Sequence, residues 1–481
     1  MIFNSYIFVF LFLPVVVSGY YICVNLKKHN LANIVLLIGS IFFYAYAGWK
    51  GLIILSVSII LNYIFYRLMR LYYQPEKINI RKIILCIGIA CNLIMLMYFK
   101  YYNFFIENLN LVFGTSLGMR EVILPVGISF VTFQQIAFLV DAYRMEADTY
   151  NIFDYSLFIS YFPHISSGPI ILHKDLLPLL ETEKKMDWDK FATGIYMFVM
   201  GLGKKVLIAD MFADAVNWGY SNISLLNSTS ALFVSIAYTI QIYFDFSGYS
   251  DMAIGISRML QLDLPINFNS PYKADTILEF WDRWHITLTR FFTKYLYIPL
   301  GGNRKGNVRT CLNTMIVFFF SGLWHGASWT FILWGGLHGC FVIFTKQFKT
   351  VFDKIPRYIN RLITLMFVNF TWILFRAGSF DTFKQMMNAI TNNKWGKLNE
   401  DICAFFRPVV LSSLEQSNVP YWLCAVTILL VAGCIIFKCK NVQERAEHME
   451  YSLGSCVWLL LVTILSILSF SGVNTFIYSY F

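Results

Sequence analysis

Apolar runs of about twenty residues recur along almost the whole chain, and that recurrence leaves few folds open. They lie at about 2–22, 31–48, 51–69, 83–99, 121–142, 151–171, 191–209, 229–250, 311–324, 326–346, 359–376, 420–437 and 455–476. A helix rises about 1.5 Å per residue, so roughly 20 apolar residues cross the hydrocarbon of a bilayer. Such runs are read as membrane helices, some of them re-entrant. Composition agrees. Apolar residues make up 57% of the chain and charged residues only 14%, against roughly 25% charge in an ordinary soluble protein. A soluble enzyme, a nucleic-acid-binding protein and a disordered scaffold are excluded. The expected fold is all-α and polytopic, with about 11–13 transmembrane or re-entrant helices in a single membrane domain over residues 1–481.

The net charge of +10 reads as topology, because basic residues concentrate in cytoplasmic loops. Lys27 and Lys28 follow the first run, and Arg67, Arg70, Lys77, Arg81 and Lys82 follow the third. An outside N-terminus satisfies both. The first run lacks a basic n-region and a small-residue cleavage site, so it is expected to be a retained helix. The ten cysteines are scattered, several inside apolar runs, with no spacing that suggests a disulfide framework or a zinc site. No metal is expected.

Two polar stretches interrupt the apolar pattern. Residues 378–419 show little periodicity. Residues 258–310 carry eight Lys/Arg and four Asp/Glu, and are expected to face the cytoplasm. Within them, Trp281, Trp284, Leu288, Phe291, Phe292 and Tyr295 recur at helical spacing, with Asp282, Thr289, Arg290 and Lys294 between them. This predicts one helix over about 279–297, ended by Pro299 and Gly301-Gly302, lying in the interface or dipping below it. His285 sits beside its aromatic face. Pattern alone leaves a plain interfacial anchor equally open.

The sequence GLWHGASWTFILWGGLHG (322–339) sets His325 in apolar surroundings between Trp324 and Gly326. An ionisable ring in hydrocarbon generally faces a cavity or the bundle interior and tends to be functional; a histidine hydrogen-bonded between helices is the competing reading. On one continuous helix His338 would stand about 20 Å from His325 and out of phase with it, so the two cannot pair unless the helix breaks. YFDFSGYSDMAIG (243–255) brings Asp245 and Asp251 to a membrane boundary, where capping or helix-to-helix bonding outweighs a general-base role. LPINFNSPY (264–272) supplies Asn267 and Asn269 in a rigid turn. Ser129, Thr132 and Gln134 in PVGISFVTFQQ (125–135), and His164 in YFPHISSGPI (161–170), read as structural.

These blocks, with VGISFVTFQQIAFLVDAYR, PLGGNR and WILFRAGSF, resemble the membrane-bound O-acyltransferase (MBOAT) superfamily, in particular its bacterial branch of alginate and peptidoglycan O-acetylation subunits. The teichoic-acid D-alanylation subunit is a more distant relative. The resemblance covers about residues 126–380, flanked by N-terminal spans over 1–125 and C-terminal spans over 381–481. It implies that His325 takes the place of the catalytic histidine and His285 that of the second active-site position, where many eukaryotic members carry asparagine. Trp324, Trp281, Trp284, Asn269 and Asp245 are then expected on the substrate path, and both histidines on one passage through the membrane. The implied reaction moves an acyl group, acetyl by preference, from a cytoplasmic thioester to a hydroxyl, with no cofactor besides the donor. That donor is acetyl-CoA or an acyl carrier. The acceptor is an envelope polysaccharide, or an extracytoplasmic SGNH-type partner that completes the transfer. The implied location is a bacterial cytoplasmic (inner) membrane, with lipid and not nucleic acid as its surroundings. A transporter or flippase of an envelope intermediate is the alternative that many spans and a few buried polar residues also allow.

Overall fold

Hydropathy and helix length together pick out seven helices in the computed structural model, which describes residues 1–392, 394–406, 420–470 and 476. These are Phe8–Asn25, His29–Ala47, Trp49–Leu71, Pro75–Phe113, Trp188–Ser221, Arg357–Ala377 and Tyr421–Lys438. Ile128–Tyr143 and Leu453–Leu468 are shorter apolar helices. Three more are long: Ser228–Met259, Gly306–His325 and Trp329–Gln347. They carry Asp245, Asp251, His325 and His338. The described residues form no sheet, only one isolated antiparallel bridge between Phe268 and Trp284.

Two expected elements are corrected. The run at 151–171 is no crossing: its helix is Ile152–Ser160, and the chain then turns through Pro163 to Ile171. Proline disfavours helical backbone in the residue before it, and so ends the helix early. The polar stretch from 378 is in part a helix, Phe380–Asn392, which buries Met386 and Ala389; its 407–419 portion lies outside the described residues, as do residues 471–475 of the final apolar run.

Ser228–Met259 forms the axis of the bundle, and Trp188–Ser221 lies along it. Small residues permit the approach. A Cβ on Gly201 would stand 2.6 Å from the Gly248 carbonyl oxygen, and one on Gly255 2.7 Å from that of Gly194. Charges join the same two helices. Over Lys204–Ala209 the turn widens to a π-helix, and Lys204 Nζ lies 2.6 Å from Asp251 while Lys205 Nζ lies 2.6 Å from Asp245 and 2.7 Å from Asp210. Burial of such charges is tolerable only when they are paired. Asp245 and Asp251 therefore bond helix to helix.

The aromatic stretch near 280–297 does leave the interface: Trp281, Trp284, Leu288, Phe291 and Phe292 are all buried. It is not one helix. Ile277–Arg283 ends at Trp284, and Ile286–Phe292 begins after His285, whose φ of 47° is left-handed. The incoming 264–270 segment pairs with this break. Asn269 N–H donates to Arg283 O at 2.9 Å, and Ile286 N–H donates to Asn267 O at 3.0 Å. Tertiary hydrogen bonds thus replace helical ones at the histidine. A π turn, Thr293–Tyr297, follows, and Gly301 and Gly302 take up positive φ before Gly306–His325 starts.

Candidate active site

His325 is the last residue of Gly306–His325. The backbone is extended at Gly326 and again at Ser328, whose side chain accepts from Thr330 N–H and starts the next helix at Trp329. The two helices fold back on one another with glycine at the seam, since a Cβ on Gly322 or Gly335 would strike the facing backbone. This break overturns the reasoning that separated His325 from His338. Both imidazoles pack on Trp334, with centroid distances of 5.1 Å and 4.6 Å. His338 Nε2 is also 3.0 Å from Thr371 Oγ1.

The His325 ring is buried among Trp324 (4.9 Å), Trp334 and Phe375 (5.2 Å). His285 reaches the same place from the other constellation. Its ring meets Phe246 edge-on at 4.8 Å and lies 5.8 Å from Trp324. Through this shared indole the two imidazole centroids are no more than about 11 Å apart, although 40 positions separate them in sequence.

His285 is held by a side chain that the sequence reading assigned only to a turn. Asn267 Oδ1 lies 3.1 Å from His285 Nδ1 and also accepts from Thr287 Oγ1 (2.9 Å) and Thr287 N–H (3.3 Å). An oxygen already accepting two hydrogen bonds faces a donor at Nδ1, so the neutral ring carries its proton there and its lone pair at Nε2. Thr287 in turn accepts from Ile170 N–H at 2.9 Å, which ties the break to the 161–171 turn. His164 in that turn is fully used, between Gln134 Nε2 (3.2 Å) and Phe158 O (3.1 Å).

The remaining expected site residues divide. Trp324 is the common wall. Trp281 stands one ring away, 5.8 Å from Trp334 and 5.1 Å from His338. Trp284 packs on Phe280, Phe268 and Trp372 behind the break. Asn269 is not brought to the histidines; its Oδ1 accepts from Asn441 Nδ2 at 3.1 Å. Asp245 is committed to Lys205 in the helix-joining ion pair.

Lys100 was missed. It follows directly on an apolar run, and the available signal was a lone cation flanked by aromatic residues in YFKYY. Its Nζ donates to the Trp324 carbonyl and, at 3.1 Å, to Ser129 Oγ. Next to it Tyr101 OH donates to Leu323 O at 2.5 Å. The last carbonyls of a helix have no partners of their own and carry partial negative charge, so this pair secures the end that bears His325.

On the side of Arg144, ion pairs anchor the far half of the dipping segment. Lys294 Nζ lies 2.8 Å from Asp141 and 2.9 Å from Glu146, Tyr295 OH donates to Asp141 at 2.7 Å, and Arg290 pairs with Asp175. The ammonium groups of Lys294 and Lys174 hold the Glu146 carboxyl below its ordinary value.

The family model of the membrane-bound O-acyltransferases matches residues 95–383, a stretch that takes in Lys100, both histidines and the helix break between His325 and His338. The peptidoglycan O-acetyltransferase of Helicobacter pylori is 34% identical over 96% of this chain and 94% of its own. The probable alginate O-acetylase AlgI of Pseudomonas aeruginosa is 37% identical over 83% of this chain and 76% of its own. The teichoic acid D-alanyltransferase of Bacillus subtilis is more distant, 25% identical over 53% of this chain and 69% of its own. With the helical bundle and the buried histidines already in place, the chain belongs to the membrane-bound O-acyltransferase family and is a multi-pass membrane O-acyltransferase.

Proposed function

We propose that the protein takes an acetyl group from a thioester on the cytoplasmic side and delivers it to a hydroxyl on the outer side, with His325 as general base. The acceptor is an envelope polysaccharide or the hydroxyl of an extracytoplasmic SGNH-type partner, and the membrane is the bacterial cytoplasmic membrane. The observation that carries this reading is the shared wall: His325 and His285 come from separate constellations and pack on one indole. The names of the relatives support acetyl as the group moved and the cell envelope as its destination.

The chemistry balances without a further reagent. The neutral imidazole of His325 takes the acceptor's proton as its oxygen attacks the thioester carbonyl. The tetrahedral adduct collapses, the C–S bond breaks, and the imidazolium returns the proton to the departing thiolate. An ester and a thiol leave. His285, held at Nδ1 by Asn267, acts as a positioning residue beside the base. Holding reactants in line in this way is worth several kcal/mol in related chemistry.

The direction of transfer follows from charge. With Lys27, Lys28, Arg67 and Arg70 on the cytoplasmic side, the 258–310 segment shares that side and guards donor entry. Sealed vesicles of known orientation test this. Ester is expected on an acceptor enclosed on the outer face when labelled acetyl thioester is supplied only to the cytoplasmic face. Ester formed only when both substrates share one face would contradict the reading. Cysteines at positions 303 and 307, in a background without reactive native cysteines, are expected to resist impermeant thiol reagents in intact cells.

A further inference from the structure

A groove of about 720 Å³ separates Tyr421–Lys438 from Ser228–Met259 and Arg357–Ala377. It opens on the lipid-facing side, where Met366 (64% exposed) and Leu430 (66%) form its lips. Tyr421–Lys438 meets the rest of the protein along a narrow stripe: of its 18 residues, only Ala425, Ala432 and Ile436 are buried. A Cβ on Gly433, in the groove wall, would meet nothing within 4 Å. Walls with no atoms opposite them lose their dispersion contacts, so in a bilayer a space of this kind fills with whatever apolar matter borders it.

The polar groups on the groove floor are already spent on one another. Tyr272 OH donates to Thr239 O at 2.8 Å and accepts from Trp372 Nε1 at 3.1 Å. Asn369 Nδ2 donates to Thr239 Oγ1 at 2.7 Å and to Ser235 O at 3.0 Å, and Asn369 Oδ1 accepts from Ser235 Oγ at 3.2 Å. A sugar or a nucleotide would find no free partner on this floor, whereas a hydrocarbon chain needs none.

One end is different. Lys438 lines the groove at the last turn of its helix, and none of the lining residues is acidic. Lys438 is exposed and, among the described residues, has no carboxylate partner. A second cation stands beside it: Lys273 Nζ donates to Cys439 O at 2.7 Å, which leaves two of its three ammonium protons free. The nearby Arg361 adds no free charge, because Asp275 Oδ1 accepts from both its Nε and its Nη2. The groove is therefore amphipathic along its length, an apolar bed with a cationic end.

Its length fits one leaflet. From Leu429 to Lys438 the helix rises about 13 Å, close to half of the ~30 Å hydrocarbon thickness. The cationic end is tied to the 258–310 segment, through Lys273 and through Asn441 Nδ2, which donates to Asn269 Oδ1 at 3.1 Å. On the topology proposed above, that end lies at the cytoplasmic surface.

We propose that this groove is a binding site for an anionic phospholipid of the cytoplasmic leaflet, with an acyl chain along the apolar bed and the headgroup phosphate against Lys438. The site is separate from the histidines and does not depend on which of them is the base.

The test compares two lipids and three variants. Full-length protein in detergent is incubated with phosphatidylglycerol or with phosphatidylcholine of identical chains, and the retained lipid is counted by native mass spectrometry. The wild type is expected to retain phosphatidylglycerol in preference. Lys438→Gln lowers that retention about fivefold, the contribution of one lysine at an anionic lipid surface, and leaves phosphatidylcholine unchanged. Gly433→Trp fills the groove and lowers retention of both lipids. Lys82→Gln, an exposed cation on the Pro75–Phe113 helix, changes neither. Lys438 is exposed and Gly433 faces open space, so both variants keep the packing of the bundle. Equal retention of the two lipids by the wild type, a preference that survives Lys438→Gln, retention untouched by Gly433→Trp, or an equal loss in Lys82→Gln overturns the proposal.

Discussion

The N-terminal helices and the histidine-bearing core are built by opposite rules. In Trp49–Leu71, 6 of 23 residues are buried; in Ser228–Met259, 27 of 32 are. The outer helices turn isoleucine, leucine and phenylalanine toward lipid and keep a few polar bonds on their inner face, such as Ser58 Oγ to Gln135 Oε1 at 2.8 Å and Asn92 Nδ2 to Asn62 Oδ1 at 2.6 Å. The central helix is buried over most of its surface, so charged and polar groups along it can be paired: Asp245, Asp251 and Ser257 bond to neighbouring elements. A membrane protein can therefore spend low hydropathy only where burial is complete. The three long polar helices are the ones closest to the chemistry.

Substitutions should sharpen this contrast. The largest effect is expected from Lys204→Met, which leaves Asp251 buried without its cation. Removing one partner of a buried pair costs about 3–5 kcal/mol. A marked fall in melting temperature in detergent is expected, with much of it restored in Lys204→Met/Asp251→Leu. The outward-facing Ile38, 61% exposed, is the control. Ile38→Ala should shift stability by no more than about 0.5 kcal/mol. Equal losses at the two sites would erase the distinction between the regions.

The next effect is on rate. Asn267→Ala releases His285 and Thr287 together and should lower acyl transfer about 100-fold, the scale of a displacement near 1 Å at a reacting group. Asn269→Ala, two positions away and bonded to Asn441, should stay within about twofold of the wild type. Transfer assays on membranes with matched protein levels decide it, and a larger loss at Asn269 would reverse the assignment.

Packing comes third. Gly201→Val places a Cβ against backbone atoms that cannot swing aside, and overpacking of this kind costs about 1–3 kcal/mol. Gly433, in Tyr421–Lys438, has nothing within 4 Å of an added Cβ. Gly433→Ala should be neutral or stabilising by up to about 1 kcal/mol, as thermal unfolding would report.

The smallest effect belongs to the partly exposed pairs on the Arg144 side. The folded-state value of Glu146 is depressed by Lys294 and Lys174, so its contribution is complete above the unfolded value of about 4.3. It is lost as pH falls through the lower folded value. Glu146→Gln should cost less than about 1 kcal/mol near neutrality and nothing in acid or in high salt. A loss that persists under those conditions would mean that the residue acts through packing.

The same contrast explains what the sequence disclosed. Lipid-facing helices announce themselves by hydropathy, and the apolar runs near 2–22, 31–48 and 51–69 correspond closely to helices. His325 and His285 stood out as ionisable rings in apolar text. The break at His285 did not, because it is made by backbone pairing with residues 267–269, a tertiary event that leaves helical periodicity intact on both sides. The break after His325 was signalled only by Gly326 and Ser328, and reading through it placed His338 too far away. Asn267 and Asn269 were equivalent as text; only the register of the 264–270 segment decides which one faces the imidazole. Lys100 was one cation at the edge of a span, and its meaning depends on a helix end more than 200 residues further on.

The central claim is that His325 is the base at a site it shares with His285. Its most direct test is acyl transfer by His325→Ala, with membrane abundance and melting temperature checked against the wild type and with His338→Ala as companion. A fall of at least about 100-fold is expected for His325→Ala, as general-base catalysis contributes roughly 10²–10⁴-fold. His338→Ala, whose ring is bound to Thr371, should lose far less. Transfer within a few-fold of wild type by well-folded His325→Ala would contradict the account.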